Sequence, residues 1–408
     1  MTSATNVSFL GLTIALVNKV KSAKPIIQKL IDKPNVLQSR PGNFLVCPLS
    51  IEIILALAQI GARGKTSKEI SAALQLPHEP DRIQLAFLEL SQYFQHNDEY
   101  KLNSVNKVYI KNGSKIDDQF KLNANTFFGA DIQDIDFQKS EEASDIINKW
   151  IAQTTTNKMT NILSKESFDE NTRLILINST VFQGRSNKEF RFESVNKKPF
   201  FLNDEDYVDV IMLESMGYFN YNENPEMQAR FLELPYEGDD VVTTIVLPNE
   251  KTGLAKLEVN IAEYFVAPEY TMQHVHVQIP KSTIDTVVRF DEILRRMGVD
   301  DALKDCADFS GMCDGKEKLK IKHVLHKTVL DIEEVKAKSD VSDILAASSN
   351  PAQGALLEPI RFHADHPFLF YLKHKATGVV FVGRFYSVDG VIKKFKNESK
   401  TESRNMQV

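Results

Sequence analysis

The chain has 408 residues, a formal net charge of −6, 42% hydrophobic residues and 25% charged residues. Its 17 glycines and 15 prolines are too few for a fibrous or disordered chain, and the acidic balance argues against a nucleic-acid binder with a basic face. No apolar run reaches the ~18 residues of a spanning helix, so no membrane span is expected. Cys47, Cys306 and Cys313 are an odd set, which excludes a full disulfide framework.

Taken in order, residues 7–33 carry apolar positions at helical spacing, with Pro25 as a break between two helices. No positive charge precedes the apolar stretch from Phe9 to Val17 and no small-residue cleavage site follows it, so it reads as an amphipathic helix. Arg40-Pro41-Gly42-Asn43 is turn chemistry. Phe44 to Val46 is a short buried run, and Ser50 is expected to cap a helix through Ile51, Ile54, Leu55 and Ala58. A second helix is expected over 66–74, with Thr66 as its cap and Glu69 three residues on.

Strand texture begins near Leu102 to Ile110, and Asp145 to Gln153 reads as a helix around Trp150. Arg173 to Gln183 is a near-continuous apolar run with β-branched residues, as a central strand buried on both faces should be. Tyr207 to Met212, Met227 to Leu234, Val241 to Leu247 and His274 to Ile279 are short strands separated by turns. A helix over Phe290 to Met297 ends near Gly298, and strands resume at 321–333 and 367–386. Helices first and strands later predict an α+β fold, and their interleaving argues for a single domain. Residues 335–361 depart from this texture: the middle, Ala346 to Ala355, has loop composition, and so long a loop in a compact domain is usually functional.

The sought catalytic patterns fail. Gly64-Lys65-Thr66 ends like a phosphate-binding loop, but Gln59 stands where that motif needs glycine. Neither G-x-S-x-G nor H-E-x-x-H occurs. His363-Ala364-Asp365-His366 reads as a polar turn before a strand, and His274 and His276 share a strand face without a third ligand. The basic segment Ile392 to Lys396 reads as part of a tail. No metal, no cofactor and no enzymatic activity are expected.

Several blocks then line up in order with one family. NFLVCPLSI (43–51) resembles the serpin signature N-x-x-x-S-P-x-S-I, and ALAQIGARGKTSKEI (56–70) continues it. NKWIAQTTTNKMTNIL (148–163) and LILINSTVFQG (174–184) resemble the next serpin blocks. FLELPYEGDD and TTIVLP (231–248), IPK (279–281) and LRRMGVDDALKDCADFSGM (294–312) follow. HKTVLDIEE (326–334) and FHADHPFLFYLKHKATGVVFVGRF (362–385) complete the match over about residues 43–386.

The resemblance implies the serpin fold: α+β, three β-sheets with eight to nine helices and an exposed reactive-centre loop at about 335–361. It also implies one serpin domain over 1–408, with a helical N-terminal extension at 1–42 and a C-terminal tail at 387–408. The implied function is protease inhibition as a suicide substrate. A protease cuts the loop, is trapped covalently, and the loop inserts into the main sheet. The alternative is a non-inhibitory serpin that acts as a binding or chaperone protein.

The implied hinge is Glu334, Val335, Lys336, Ala337, Ser339, Val341 and Asp343. Lys336 stands where inhibitory serpins usually have glycine, and Ser339-Asp340-Val341-Ser342 replaces a run of alanines. In the family register Ala337, Ser339, Val341, Asp343, Leu345 and Ala347 would face inward, with Asp343 the acidic exception. Spacing from Glu334 puts the scissile bond at Asn350-Pro351, while spacing back from His366-Pro367 puts it at Leu356-Leu357. Proline after the cut resists most serine proteases, so Leu356-Leu357 is favoured, with Ala355-Leu356 next. No Lys or Arg occurs from Ser339 to Ile360, so the expected partner is a chymotrypsin-, elastase- or cathepsin-like protease and not a trypsin-like one. The chain is expected to be a monomer and extracellular, with the cytoplasm as the alternative. Ser50, Asn178 and His326 match the family's shutter residues, and Cys47 replaces a serine of that cluster.

Overall fold

The structure is a computed structural model that describes residues 42–77, 79–91, 100–155, 162–184, 194–238, 240–259, 268–314, 318–332, 358–375, 378–388 and 392–394. The N-terminal helices expected over 7–33 lie outside these residues.

Strand β1 (Phe44–Val46) runs through Cys47 into helix α1 (Pro48–Gly61). Proline at the first helical position has no N–H to leave unsatisfied, and its fixed φ suits the helix. Cys47 is therefore the N-cap, and Ser50 sits inside the first turn and not at the cap. Helix α2 (Gly64–Leu74) also starts earlier than its capping pair suggests. The Thr66 hydroxyl donates to Asp301 Oδ2 at 2.6 Å, and Glu69 Oε2 accepts the backbone N–H groups of Asp300 and Asp301 at 2.9 and 2.7 Å. The pair stabilises a distant turn instead of its own helix.

Helix α3 (Pro80–Ser91) precedes β2 (Tyr100–Lys111). Asp117 caps helix α4 (Asp118–Phe128) by accepting the Phe120 N–H at 2.8 Å, and Gly129 ends it at φ 55°, a left-handed conformation that suits glycine. Strand β3 (Ala130–Ile135), helix α5 (Ser140–Thr154) and strand β4 (Leu174–Gly184) follow. Strands β5 (Ser194–Phe201), β6 (Asp206–Asn224), β7 (Ala229–Pro235) and β8 (Val241–Pro248) then lead to helix α6 (Leu254–Val259). Strands β9 (Thr271–Pro280) and β10 (Ser282–Arg289) precede helix α7 (Asp291–Arg296). The last strands are β11 (Ile321–Ile332), β12 (Ile360–His363), β13 (Phe368–His374), β14 (Gly378–Phe385) and β15 (Lys393–Lys394).

A five-stranded sheet has the order β10-β11-β4-β2-β3. A ten-stranded sheet has the order β1-β14-β13-β8-β7-β6-β9-β12, with β5 and β15 also paired to β6. The described residues thus form two hydrogen-bonded sheets where three were expected, with seven α-helices. The cause is β6. Over its 19 residues it pairs with β5 from Tyr207 to Glu214, with β9 from Met212 to Tyr221, and with β7 from Tyr221 to Asn224. β6 thus joins strands along its whole length into one continuous sheet, and the α+β class expected from the sequence holds.

The central strands β4 and β11 of the five-stranded sheet are buried on both faces. Leu174, Leu176 and Phe182 of β4 enter the larger core, while Ile175 and Ile177 join a second cluster with Tyr109, Ile147, Ile151 and Leu325. Ile147 and Ile151 belong to α5, so this helix covers the second face. Two buried faces explain the unbroken apolar run in the sequence of β4.

Candidate functional site

The centre of the five-stranded sheet is the seam between β4 and β11. These strands run parallel and are joined in register from Ile321↔Leu174 to Asp331↔Gln183, with a shift between Ile321 and His323. His326 and Asn178 stand opposite each other near the middle. The start of α1 brings Cys47 and Ser50 beneath them, so all four expected shutter residues meet.

Their hydrogen bonds form one buried network. His326 Nδ1 lies 2.8 Å from Asn178 Oδ1, and His326 Nε2 accepts the Cys47 N–H at 2.9 Å. One nitrogen must accept, so His326 is neutral with its proton on Nδ1. The Ser50 hydroxyl sits 2.9 Å from Asn178 Oδ1 and 3.0 Å from the Cys47 carbonyl. Asn178 Nδ2 donates to Asn106 Oδ1 at 2.9 Å and Ser104 Oγ at 3.1 Å. Thr180 donates to Asn178 Oδ1 at 3.0 Å. Thr286 and Thr328 both donate to the Leu45 carbonyl, at 2.7 and 2.8 Å. Ser104, Asn106, Thr180, Thr286 and Thr328 were not singled out in the sequence. The available signal was polar residues two apart on otherwise apolar strands, such as Asn178 and Thr180.

Burial pushes the Cys47 thiol up to about 12, so it stays protonated at neutral pH. Burial pushes His326 down from 6.5 to about 3. The unfolded chain therefore takes up a proton near pH 6.5 that the folded chain refuses until about pH 3. Stability should be full above about pH 6.5 and fall as pH drops below it, by ~1.4 kcal/mol per pH unit. His326→Gln, which can still donate to Asn178 and accept from Cys47, should flatten that slope. Urea midpoints at pH 7.5, 6.0 and 5.0 for both proteins measure it, and equal slopes would refute the assignment.

The hinge residues Glu334, Val335, Lys336, Ala337, Ser339, Val341 and Asp343 lie outside the described residues, as do Asn350, Pro351, Ala355, Leu356 and Leu357. Both flanks of that segment are described. The chain leaves the five-stranded sheet at Ile332 of β11 and resumes at Glu358 and Pro359 before β12. β12 pairs parallel with β9, from Ile360↔Val275 to His363↔Gln278, at the edge of the ten-stranded sheet. The segment therefore connects the seam strand of one sheet to an edge strand of the other.

His366 bonds Asp365 at 2.7 Å and the Pro248 carbonyl at 2.8 Å, which ties the polar turn to the sheet. Among the described residues, no group of three or more His, Cys, Asp and Glu side chains is placed to hold a metal ion. No helix among them is long and apolar enough to cross a membrane.

A family model described as Serpin (serine protease inhibitor) matches residues 28–388. Neuroserpin of Gallus gallus is 30% identical over 396 residues, covering 92% of this chain and 95% of the relative. Leukocyte elastase inhibitor of Bos taurus is 31% identical over 359 residues, covering 85% of this chain and 93% of the relative. Among solved structures, Serpin48 of the insect Tenebrio molitor superposes with a TM-score of 0.79 at 32% identity, covering 91% of this chain and 98% of that one. Uncleaved ovalbumin shares the fold, with a TM-score of 0.78 at 24% identity over 90% of this chain and 99% of that one. The signature blocks, the sheet order and these likenesses agree, and the chain belongs to the serpin family of serine protease inhibitors.

Proposed function

We propose that this protein is an inhibitory serpin, a single domain acting as a monomer, that traps a protease through its loop. The observation that carries the reading is the parallel seam of β4 and β11. A segment that leaves β11 and folds back into the seam would run antiparallel to both strands, so each could pair with it without reversing. Leu356-Leu357 is the proposed scissile bond, with Ala355-Leu356 and Asn350-Pro351 as the other candidates. Glu334 to Asp343 is the proposed hinge. Cys47, Ser50, Asn178 and His326 are the proposed latch: opening the seam must part His326 from Asn178.

The proposed target is an elastase-, chymotrypsin- or cathepsin-like enzyme. The absence of Lys and Arg from Ser339 to Ile360 supports it, as does the kinship with proteins named leukocyte elastase inhibitor. The proposed compartment is extracellular, as the family resemblance suggested, and secretion of the tagged full chain into culture medium tests it.

Mixing the protein with a protease panel should give an SDS-stable band with an elastase or chymotrypsin type and none with trypsin. A stable trypsin adduct cut after Lys338 or Arg361 would overturn the target class. Lys336 and Asp343 in the hinge favour the second reading, a non-inhibitory serpin whose loop stays out. Loop cleavage by every enzyme of the panel with no stable band would select it.

A further inference from the structure

β12 lies parallel to β9 with Arg361 level with His276 and His363 level with Gln278. His276 and His363 are therefore diagonal neighbours on one face of adjacent strands. Their rings meet edge-on with centroids 5.1 Å apart, and His363 Nε2 stands 3.4 Å from His276 Nδ1. Nitrogen-donor hydrogen bonds centre near 2.9–3.0 Å, so this contact is long for one. It matches another spacing. Two nitrogen ligands on one tetrahedral zinc, each ~2.0–2.1 Å from the metal, stand about 3.3–3.4 Å apart.

The other nitrogen of His276, Nε2, faces Glu214 Oε2 at 3.7 Å. That separation is longer than a hydrogen bond, so Glu214 acts on the ring through its charge, which favours the proton on Nε2 and leaves the Nδ1 lone pair toward His363. Lys198 and Asn196 position Glu214, at 2.5 and 3.2 Å. Burial chiefly, and His276 next, pushes His363 below its ordinary range, which favours the neutral, ligating form. The charges around His363 are mixed: Lys198 and Arg361 are cationic, and Asp365 is anionic. The His276 side chain is 26% exposed, so an ion can reach it from solvent. His274 shares the face but packs on Tyr218, with ring centroids 5.2 Å apart.

We propose that His276 and His363 form a two-nitrogen site for a borderline divalent cation such as Zn²⁺. Water completes the coordination, and Glu214 is a positioning residue behind His276. The bound ion clamps β12, the strand that follows the loop, to β9. The site is independent of whether the loop inserts.

Calorimetric titration of the full chain with ZnCl₂ at pH 7.5 tests the proposal. One ion per chain should bind, with no such binding in His276→Ala or His363→Ala and unchanged binding in His274→Ala. Glu214→Gln should weaken binding by about tenfold. Co²⁺ absorption supplies a second readout, since its visible bands should vanish with either histidine. His363→Gln replaces the alanine variant if that fails to fold. Absence of binding at millimolar Zn²⁺, or the same isotherm after loss of His363, would overturn the proposal.

Discussion

Cutting the loop near Leu356-Leu357 should raise the thermal midpoint by on the order of 10 °C or more. The seam explains the direction. In the uncut protein β4 and β11 already pair with each other across ten residue pairs. An inserted strand would break that one parallel ladder and form two antiparallel ladders in its place. The gain is one whole ladder, at ~1 kcal/mol net per hydrogen bond, with antiparallel pairing slightly the better of the two. Inward side chains would enter the packed core under β4 and β11, so small inward residues such as Ala337, Ser339 and Ala347 fit where bulky ones would not.

Asp343 is the residue that argues against insertion, because a buried carboxylate without a partner costs several kcal/mol. In the proposed inserted state an antiparallel register would supply a partner. If Ala337 enters level with Ile332, six steps along the loop and six steps back along β11 place Asp343 level with His326. The Nδ1–H of His326, parted from Asn178, would then face that carboxylate. Circular dichroism melts of intact and elastase-nicked protein measure the effect. Coincident curves would mean that the loop does not insert, and the non-inhibitory reading would stand.

The central strand was legible because its surroundings were uniform: both faces of β4 meet apolar cores, so the sequence runs apolar without a break. Ser50 and Thr66 were misread as caps for the opposite reason. Their residue types fit a cap, but Pro48 and Gly64 open the helices earlier. The hydroxyls serve partners more than a hundred residues away, Asn178 and Asp301. β6 was read only as Tyr207 to Met212, since Glu214, Gly217 and Asn220 interrupt its alternation. Those interruptions are tolerated because neighbouring strands fix the backbone: Glu214 pairs with Lys198, and Asn220 donates to Glu233. The histidines show the same limit. His276 and His363 were each visible in the sequence, but the pairing of β12 with β9 that brings them together is a contact between distant strands. The four shutter residues became legible only through the family resemblance, because Cys47, Ser50, Asn178 and His326 share no local pattern.

Ala337→Arg should turn the protein from an inhibitor into a substrate. In the proposed insertion Ala337 would be the first residue to pass between β4 and β11, and the family register points it inward. Arginine there would bury a long cation, with several kcal/mol of desolvation to overcome. The penalty falls on the inserted state alone, because before insertion the same side chain can lie in water. In the proposed mechanism two processes would compete once the loop is cut: insertion, which traps the protease, and hydrolysis of the acyl-enzyme, which frees it. Only insertion is slowed. Each ~1.4 kcal/mol of the penalty felt at the insertion barrier shifts the competition tenfold toward hydrolysis. The number of inhibitor molecules consumed per protease inhibited should therefore rise by about tenfold or more. Lys338→Ala is the control, since the family register points residue 338 to the side opposite Ala337, away from the core, and its truncation should change the ratio little. Titrating a fixed amount of elastase with each variant gives the ratio directly. An unchanged ratio for Ala337→Arg would refute insertion at this position. An equal rise for both variants would refute the alternation of inward and outward residues on which the hinge assignment rests.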